Sequence, residues 1–284
     1  MTAIVVHGGA GLVAAERHAR LRDGVRAAAA AGDAILSRGG SSLDAVVAAV
    51  RVLEDDPEFN AGCGSALTRD GTVETDASVM DGATQRVGAV GAVPDLGCAI
   101  ALARAVLDRG EHVLLAGSSA WDFAREVGIA PAPAGALITE RARMRLADVQ
   151  KGTVGAVARD RDGRFAAATS TGGIAGKRRG RVGDSPIPGA GTWADAHCAI
   201  SATGDGEAIL RVALAHSIAM RIASGTPIDR AVRESLSELQ RVTNGSAGVI
   251  AVDRSAFSAL QLSSTMPVAA ISDGVHADSM GTQI

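Results

Sequence analysis

The chain has 284 residues, a formal net charge of −3 and 47% hydrophobic residues, enough apolar material for a large core in one compact domain or two. So balanced a charge argues against a nucleic-acid partner or a polybasic membrane contact. With four Phe, two Trp and no Tyr, aromatic platforms that stack single strands are excluded as well.

Ala3–Val6 is a short apolar run stopped by Gly8-Gly9, which predicts a buried strand. Ala14–Ser37 carries helical periodicity through Leu21, Val25, Ala28 and Ile35, and Gly39-Gly40 ends it. Ser41 with Asp44 resembles a capping box for a second helix running to about Leu53. A turn-rich loop follows through Gly64, then strands over Val73–Ser78 and Val87–Val93 and helices near Cys98–Leu107 and Ser118–Val127. Ala130-Pro-Ala-Pro-Ala-Gly135 interrupts the pattern, and the charged, helix-compatible segment Thr139–Val149 leads into Gly152.

From Thr153 onward strands predominate. Thr153–Arg159 and Phe165–Thr169 flank Asp160-Arg-Asp-Gly163, a hairpin signal. Cys198–Ala202 is a further strand, with helices expected over Glu207–Ser224 and Pro227–Arg241. Strands are expected over Gly248–Val252, Ala259–Ser263 and Val268–Ile271. Hairpins alternating with helix pairs point to α+β layers built on antiparallel sheets. Cys63, Cys98 and Cys198 form no Cys-x-x-Cys pair and the six His show no His-Glu-x-x-His spacing, so neither a disulfide framework nor structural zinc is expected. No apolar run is long enough to cross a bilayer and the first residues carry no basic leader, so a soluble cytoplasmic protein is the expectation.

Several segments carry potential chemistry. Cleavage of Gly152–Thr153 would create a threonine whose own α-amine, titrating near pH ~7.7–8.0, serves as base for its hydroxyl. The alternative for Gly152-Thr-Val-Gly-Ala-Val157 is a plain buried strand after a tight turn. Thr171, in Thr169-Ser-Thr-Gly-Gly173, supplies a second hydroxyl or simply a Ser/Thr turn. Arg181 and Asp184 can present a guanidinium to a carboxylate and a carboxylate to an ammonium, or form an ordinary surface pair. Lys177-Arg-Arg179 beside them reads as a solvated basic turn. Thr203-Gly-Asp-Gly-Glu207 lies where a strand meets a helix, a place for backbone donors to meet an oxyanion or a phosphate. No complete phosphate-binding fingerprint accompanies it. Asn60, in Phe59-Asn-Ala-Gly-Cys-Gly64, is either a turn residue or a group that orients the new amine or an oxyanion.

Taken in order, these segments resemble the plant-type asparaginase/isoaspartyl peptidase family of amino-terminal-nucleophile hydrolases. Also matching are His7-Gly-Gly-Ala-Gly11, Leu53–Gly64, Asp76-Ala-Ser-Val-Met-Asp-Gly82 and Ser264-Thr-Met-Pro267, so the likeness spans most of the chain. It implies an α+β fold, a four-layer αββα sandwich of two antiparallel sheets flanked by helices, in a single domain over 1–284. It implies autocleavage into 1–152 and 153–284 and a dimer of the resulting α/β pairs. By motif, Thr153 is the nucleophile, Thr171 the supporting hydroxyl, Thr203 and Gly204 the oxyanion hole, with Asn60 nearby. Arg181 and Asp184 would grip the α-carboxylate and α-ammonium of the substrate, and Gly206 would touch it. The substrates implied are L-asparagine and β-aspartyl dipeptides, with no cofactor for chemistry. The loop Leu53–Cys63 matches a structural sodium site whose ligands would be main-chain carbonyls of Leu53, Glu54, Asp56, Phe59, Ala61 and Cys63.

Three departures bear on cleavage rate and leaving-group preference. Thr139–Gly152 is short and carries Arg141, Arg143 and Arg145, Pro94-Asp-Leu-Gly-Cys98 replaces an Asn-Pro-Ile pattern, and Asp205 occupies a variable position. A glycosylasparaginase shares the Arg-Val-Gly-Asp segment but usually has Asp before the threonine, where this chain has Gly152. A non-catalytic amino-acid-binding homologue would remain one uncut chain.

Overall fold

The computed structural model describes residues 1–145, 152–263 and 265–284. Its strands are β1 (Ala3–His7), β2 (Glu74–Asp81), β3 (Val87–Pro94), β4 (Leu114–Ala116), β5 (Val154–Arg159) and β6 (Phe165–Thr171). The remainder are β7 (Thr192–Ala194), β8 (Cys198–Gly204), β9 (Ala247–Asp253), β10 (Phe257–Gln261), β11 (Val268–Ser272), β12 (Val275–Ser279) and β13 (Thr282–Gln283). The helices are α1 (His18–Ser37), α2 (Ser42–Asp55), α3 (Ala99–Arg109), α4 (Ala120–Glu126), α5 (Glu140–Arg145), α6 (Gly206–Val212), α7 (Leu214–Ala223) and α8 (Ile228–Thr243).

Among the described residues one sheet runs β12-β11-β1-β5-β6-β2-β3-β4 and the other β13-β10-β9-β8-β7. Three apolar interfaces stack them into four layers. Val25, Val46, Leu53, Ile100 and Leu107 of the first helices bury against Ile4, Val6, Val79 and Ala156. Val5, Val157, Phe165, Ala199, Ile250 and Met266 fill the space between the sheets. Ile218, Val232 and Leu236 cover Ile200, Val249 and Ala251 on the far side. Each fully buried Val, Leu, Ile or Phe contributes about 1.5–3 kcal/mol, so the αββα stack follows from period-two strands that are apolar on both faces. Phe59 shows how closely the layers meet. A Cβ on Gly8 or Gly24 would lie 2.4 and 2.5 Å from its ring, so those glycines admit the ring that anchors the loop after α2.

The Ser41 cap is present, its side chain accepting from the Asp44 amide. Other expectations need correction. The sheets are not wholly antiparallel, because β3 pairs with β4 and β10 with β13 in parallel at the sheet edges. The long helix expected over Glu207–Ser224 is broken at Ala213, which has φ 46. That backbone costs a non-glycine residue about 1–2 kcal/mol. It is offset by docking of α7: the Ala215 and His216 amides donate to the Ala190 and Gly189 carbonyls at 3.0 and 2.8 Å. Strands β4, β7, β12 and β13 were not expected; β12 is largely exposed and reads as polar, although Asp273-Gly274 before it is a hairpin turn signal. Of the helix expected over Thr139–Val149, Glu140–Arg145 is helical and the rest lies outside the described residues.

Candidate active site

Alternation along the central strands decides which side chains meet between the sheets. On β5, Val154, Ala156 and Ala158 face the first helices, whereas Val157 faces the second sheet. Thr153 shares the parity of Val157 and therefore points between the sheets. The same alternation turns Thr169 and Thr171 on β6, Ser201 and Thr203 on β8, and Asp76 and Ser78 on β2 into this space. A buried hydroxyl chain occupies it. His7 Nε2 meets Ser201 Oγ at 3.0 Å, Ser201 Oγ meets Thr169 Oγ1 at 2.8 Å, and Thr192 Oγ1 donates to Thr169 Oγ1 at 2.6 Å. Ser78 Oγ lies 2.8 Å from Thr192 Oγ1 and 2.6 Å from the Ser185 carbonyl oxygen, to which it donates. Gly155 makes room for this polar seam, since a Cβ there would lie 2.0 Å from Ser201 Oγ. Burial drives the His7 imidazole down to about 3, so it is neutral.

The Gly152–Thr153 junction lies at one end of the seam. Asn60 Nδ2 donates to the Gly152 carbonyl oxygen at 2.6 Å and Thr171 Oγ1 donates to the same oxygen at 3.0 Å. Asn60 is itself fixed: Nδ2 also donates to the Gly173 carbonyl at 2.7 Å, and Oδ1 accepts from the Ala66 amide at 2.7 Å. Thr171 Oγ1 accepts from the Gly173 amide at 2.9 Å, which leaves its proton for Gly152. Two donors converging on one carbonyl withdraw electron density and favour addition to its carbon. Gly9, at φ +103, packs over the junction, where a Cβ would come within 3.0 Å of the Thr153 nitrogen. Thr203 is close by, its Oγ1 accepting from the Ala10 amide at 3.1 Å. Gly204 has φ +136 and no room for a side chain beside the Ser246 carbonyl. A small cavity of about 40 Å³ borders Gly152, Asn60, Gly9 and Glu58.

Arg181, Asp184 and Gly206 form a second cluster. A Cβ on Gly206 would lie 2.7 Å from both Arg181 Nη2 and Asp184 Oδ1, so glycine keeps the space between the two charges open. The pair is not the surface Arg–Asp contact considered above. Asp184 is buried, its Oδ2 has no hydrogen-bond partner among the described residues, and burial pushes its carboxyl up to about 7. Arg181 engages Glu207 instead, through Nε at 3.0 Å and Nη2 at 2.9 Å. Gly173 links the clusters, because its carbonyl binds Asn60 and its Cβ position lies 3.3 Å from Arg181 Nη1. Chemically, one end can hold an ammonium and a carboxylate while the other presents a polarised carbonyl beside a hydroxyl.

Sequence reasoning overlooked what supports the clamp. Asp76 Oδ1 accepts from the Ala92 amide at 2.7 Å and Oδ2 from the Gly183 amide at 3.1 Å, tying the Arg181–Asp184 loop to β2. An acidic residue in the interior of a strand buried on both faces is the signal that marks it. Lys177 does not lie on a solvated turn: it is buried and its Nζ donates to the Glu74 carbonyl at 2.7 Å, whereas Arg178 and Arg179 are exposed.

The expected cation loop has the right donor type. Gly62 and Gly64, at φ +47 and +105, allow main-chain carbonyls of residues 54, 57 and 59 to crowd inward. The Glu54 and Asp56 carbonyls each accept one amide, from Cys63 and Phe59, and retain a second lone pair. Among the described residues, no group of three or more His, Cys, Asp or Glu is placed to hold a metal ion. Among the same residues, no helix is long and apolar enough to cross a membrane.

A four-layer sandwich with a threonine at the head of a central strand and donors gathered on the preceding carbonyl defines an amino-terminal-nucleophile hydrolase fold. Within that class, the asparaginase family model matches residues 1–151 and 146–282, and the chain belongs to this family. It is similar to the isoaspartyl peptidase/L-asparaginase of Bos taurus, 45% identical over 95% of this chain and 93% of the relative. The Homo sapiens protein of the same name is also 45% identical, with the same coverage. The isoaspartyl peptidase of Salmonella typhimurium is 42% identical over 92% of each chain.

Proposed function

We propose that the chain cuts itself between Gly152 and Thr153 and then hydrolyses the β-amide of L-asparagine and of β-aspartyl dipeptides. The observation that carries this reading is the Gly152 carbonyl held by Asn60 and Thr171, one residue before a hydroxyl that points between the sheets. The names of the relatives agree with the substrate class.

In the first reaction Thr153 Oγ adds to the Gly152 carbonyl carbon while Asn60 and Thr171 take the developing negative charge. The C–N bond breaks, its nitrogen leaves as the Thr153 amine with the hydroxyl proton, and an ester remains. Water opens the ester to the Gly152 carboxylate and the free Thr153 hydroxyl, giving chains 1–152 and 153–284.

In the second reaction Arg181 holds the substrate α-carboxylate and Asp184 its α-ammonium. Filling Asp184's vacant acceptor with an ammonium offsets the desolvation of its carboxylate. The Thr153 hydroxyl adds to the β-carbonyl and its own amine accepts the proton, with Thr203 and Gly204 at the oxyanion. Collapse releases ammonia or an amino acid, and water, activated by the same amine, frees aspartate from the ester. No cofactor enters these steps. The carbonyls of Leu53, Glu54, Asp56, Phe59, Ala61 and Cys63 would hold a sodium that fixes the loop bearing Asn60 and supplies no chemistry. We assign the cleaved protein to a dimer of α/β pairs in the cytoplasm, where its three free cysteines would stay reduced.

Denaturing electrophoresis with amino-terminal sequencing of protein incubated without proteases tests the first reaction. A fragment beginning Thr-Val-Gly-Ala-Val is expected, and Thr153→Ala should remain uncut. An uncut chain with full activity on asparagine would overturn the reading.

A further inference from the structure

The basic turn beside the clamp is more than solvated charge. Arg69, Lys177, Arg178, Arg179 and Arg181 line one open concavity of about 440 Å³, with Ile174 on its wall. Their charges are unevenly matched. Arg181 is taken by Glu207, Arg179 lies 3.6 Å from Glu74, and Lys177 reaches the Glu74 carbonyl. Glu74 is further occupied by the Gly180 amide, which donates to Oε2 at 2.8 Å. Arg69 and Arg178 are exposed, and neither side chain has an ion-pair partner among the described residues. Two unmatched guanidinium groups thus face a hollow whose wall is the clamp residue Arg181.

The hollow also adjoins the reacting centre. A Cβ on Gly173 would touch Lys177 Nζ at 3.0 Å and Arg181 Nη1 at 3.3 Å, while the Gly173 carbonyl binds Asn60 beside Gly152. A leaving residue attached to the β-carbonyl near Asn60 and Gly152 would pass Gly173 and meet the positive field of this hollow.

We infer that this concavity is a subsite for the side-chain carboxylate of the leaving residue, and that the preferred substrates are β-aspartyl dipeptides ending in Asp or Glu. The inference rests on the hydrolysis proposed above. Guanidinium forks suit a carboxylate geometrically, and the exposed positions of Arg69 and Arg178 make the preference sensitive to salt.

The test compares kcat/KM for β-aspartyl-glutamate, its neutral isostere β-aspartyl-glutamine, and β-aspartyl-lysine, with asparagine as reference. The cleaved wild-type protein and an Arg69→Ala/Arg178→Ala double variant would each be assayed at low and high ionic strength. The wild type should favour glutamate over glutamine at least ~10-fold at low salt, with lysine poorest. Both high salt and the double variant should bring that ratio near one while asparagine hydrolysis is unchanged. Arg178→Glu should turn the preference towards β-aspartyl-lysine. Equal rates for glutamate and glutamine in the wild type, or a ratio that survives the double variant, would overturn the subsite. Failure to hydrolyse any of the compounds would instead overturn the proposed function.

Discussion

Asn60 and Gly152 are 92 residues apart in sequence, yet the Asn60 amide nitrogen lies 2.6 Å from the Gly152 carbonyl oxygen. The loop after α2 is thereby fastened to the peptide bond ahead of β5. Removing one such donor from a developing oxyanion costs about 10²–10³ in rate. Asn60→Ala should slow self-cleavage by that order, followed as the disappearance of full-length chain on a gel. Cleavage at the wild-type rate would show that Thr171 alone suffices.

Asp184 gives the reaction a pH signature. Its buried carboxyl titrates at about 7 in the folded protein against an ordinary 3.8. In the proposed binding mode only the anion attracts the substrate ammonium, so kcat/KM should climb as pH rises through about 7, with deprotonation of the Thr153 amine adding a second limb. Stability runs the other way. Between the two values the native state binds more protons than the unfolded chain, so stability declines as pH rises. Asp184→Asn should therefore raise Tm at pH 8, by at least about 2 °C, while abolishing substrate binding. A lower Tm in that variant would contradict an uncompensated buried charge.

Gly206 guards the gap between the clamp charges. Gly206→Ala would place a methyl 2.7 Å from Arg181 Nη2 and Asp184 Oδ1, so KM for asparagine should rise at least ~10-fold. The Gly152–Thr153 cut should proceed normally, because the variant leaves Asn60 and Thr171 untouched. Loss of both functions together would mean that the two clusters are mechanically coupled.

Asp76 acts through the loop it holds. In Asp76→Asn, one of the two backbone amides would face an amide instead of a carboxylate oxygen, at Ala92 or at Gly183. KM should rise more than kcat falls, since the displaced groups are Arg181 and Asp184. A kcat loss with unchanged KM, measured on fully cleaved protein, would remove Asp76 from this role.

What the amino-acid sequence disclosed follows from the range of each interaction. The Ser41 cap, the Asp160–Gly163 hairpin and the strand that forms β5 are local and were legible from spacing. Thr153, Thr171, Arg181 and Asp184 stood out through their ordered motifs, while the roles assigned to them remain proposals. The partner of Arg181 was not legible, because Glu207 reaches it only when β8 and α6 are placed against the 181–184 loop. Lys177 looked solvated for the same reason, its acceptor lying 103 residues away on β2. Ala213 breaks a helix without any glycine to announce it, because the loop carbonyls that stabilise the break come from residues 189 and 190.

The Gly152 carbonyl also has a consequence for measurement. While it sits on Asn60 and Thr171, those donors are occupied by the chain's own backbone and the threonine nitrogen is locked in a peptide. On the proposed mechanism an uncut molecule is its own stopper, withdrawn once by cleavage and never replaced. A fresh preparation should show a lag, its progress curve bending upward as stoppers leave, and the final slope should count cut molecules rather than total protein.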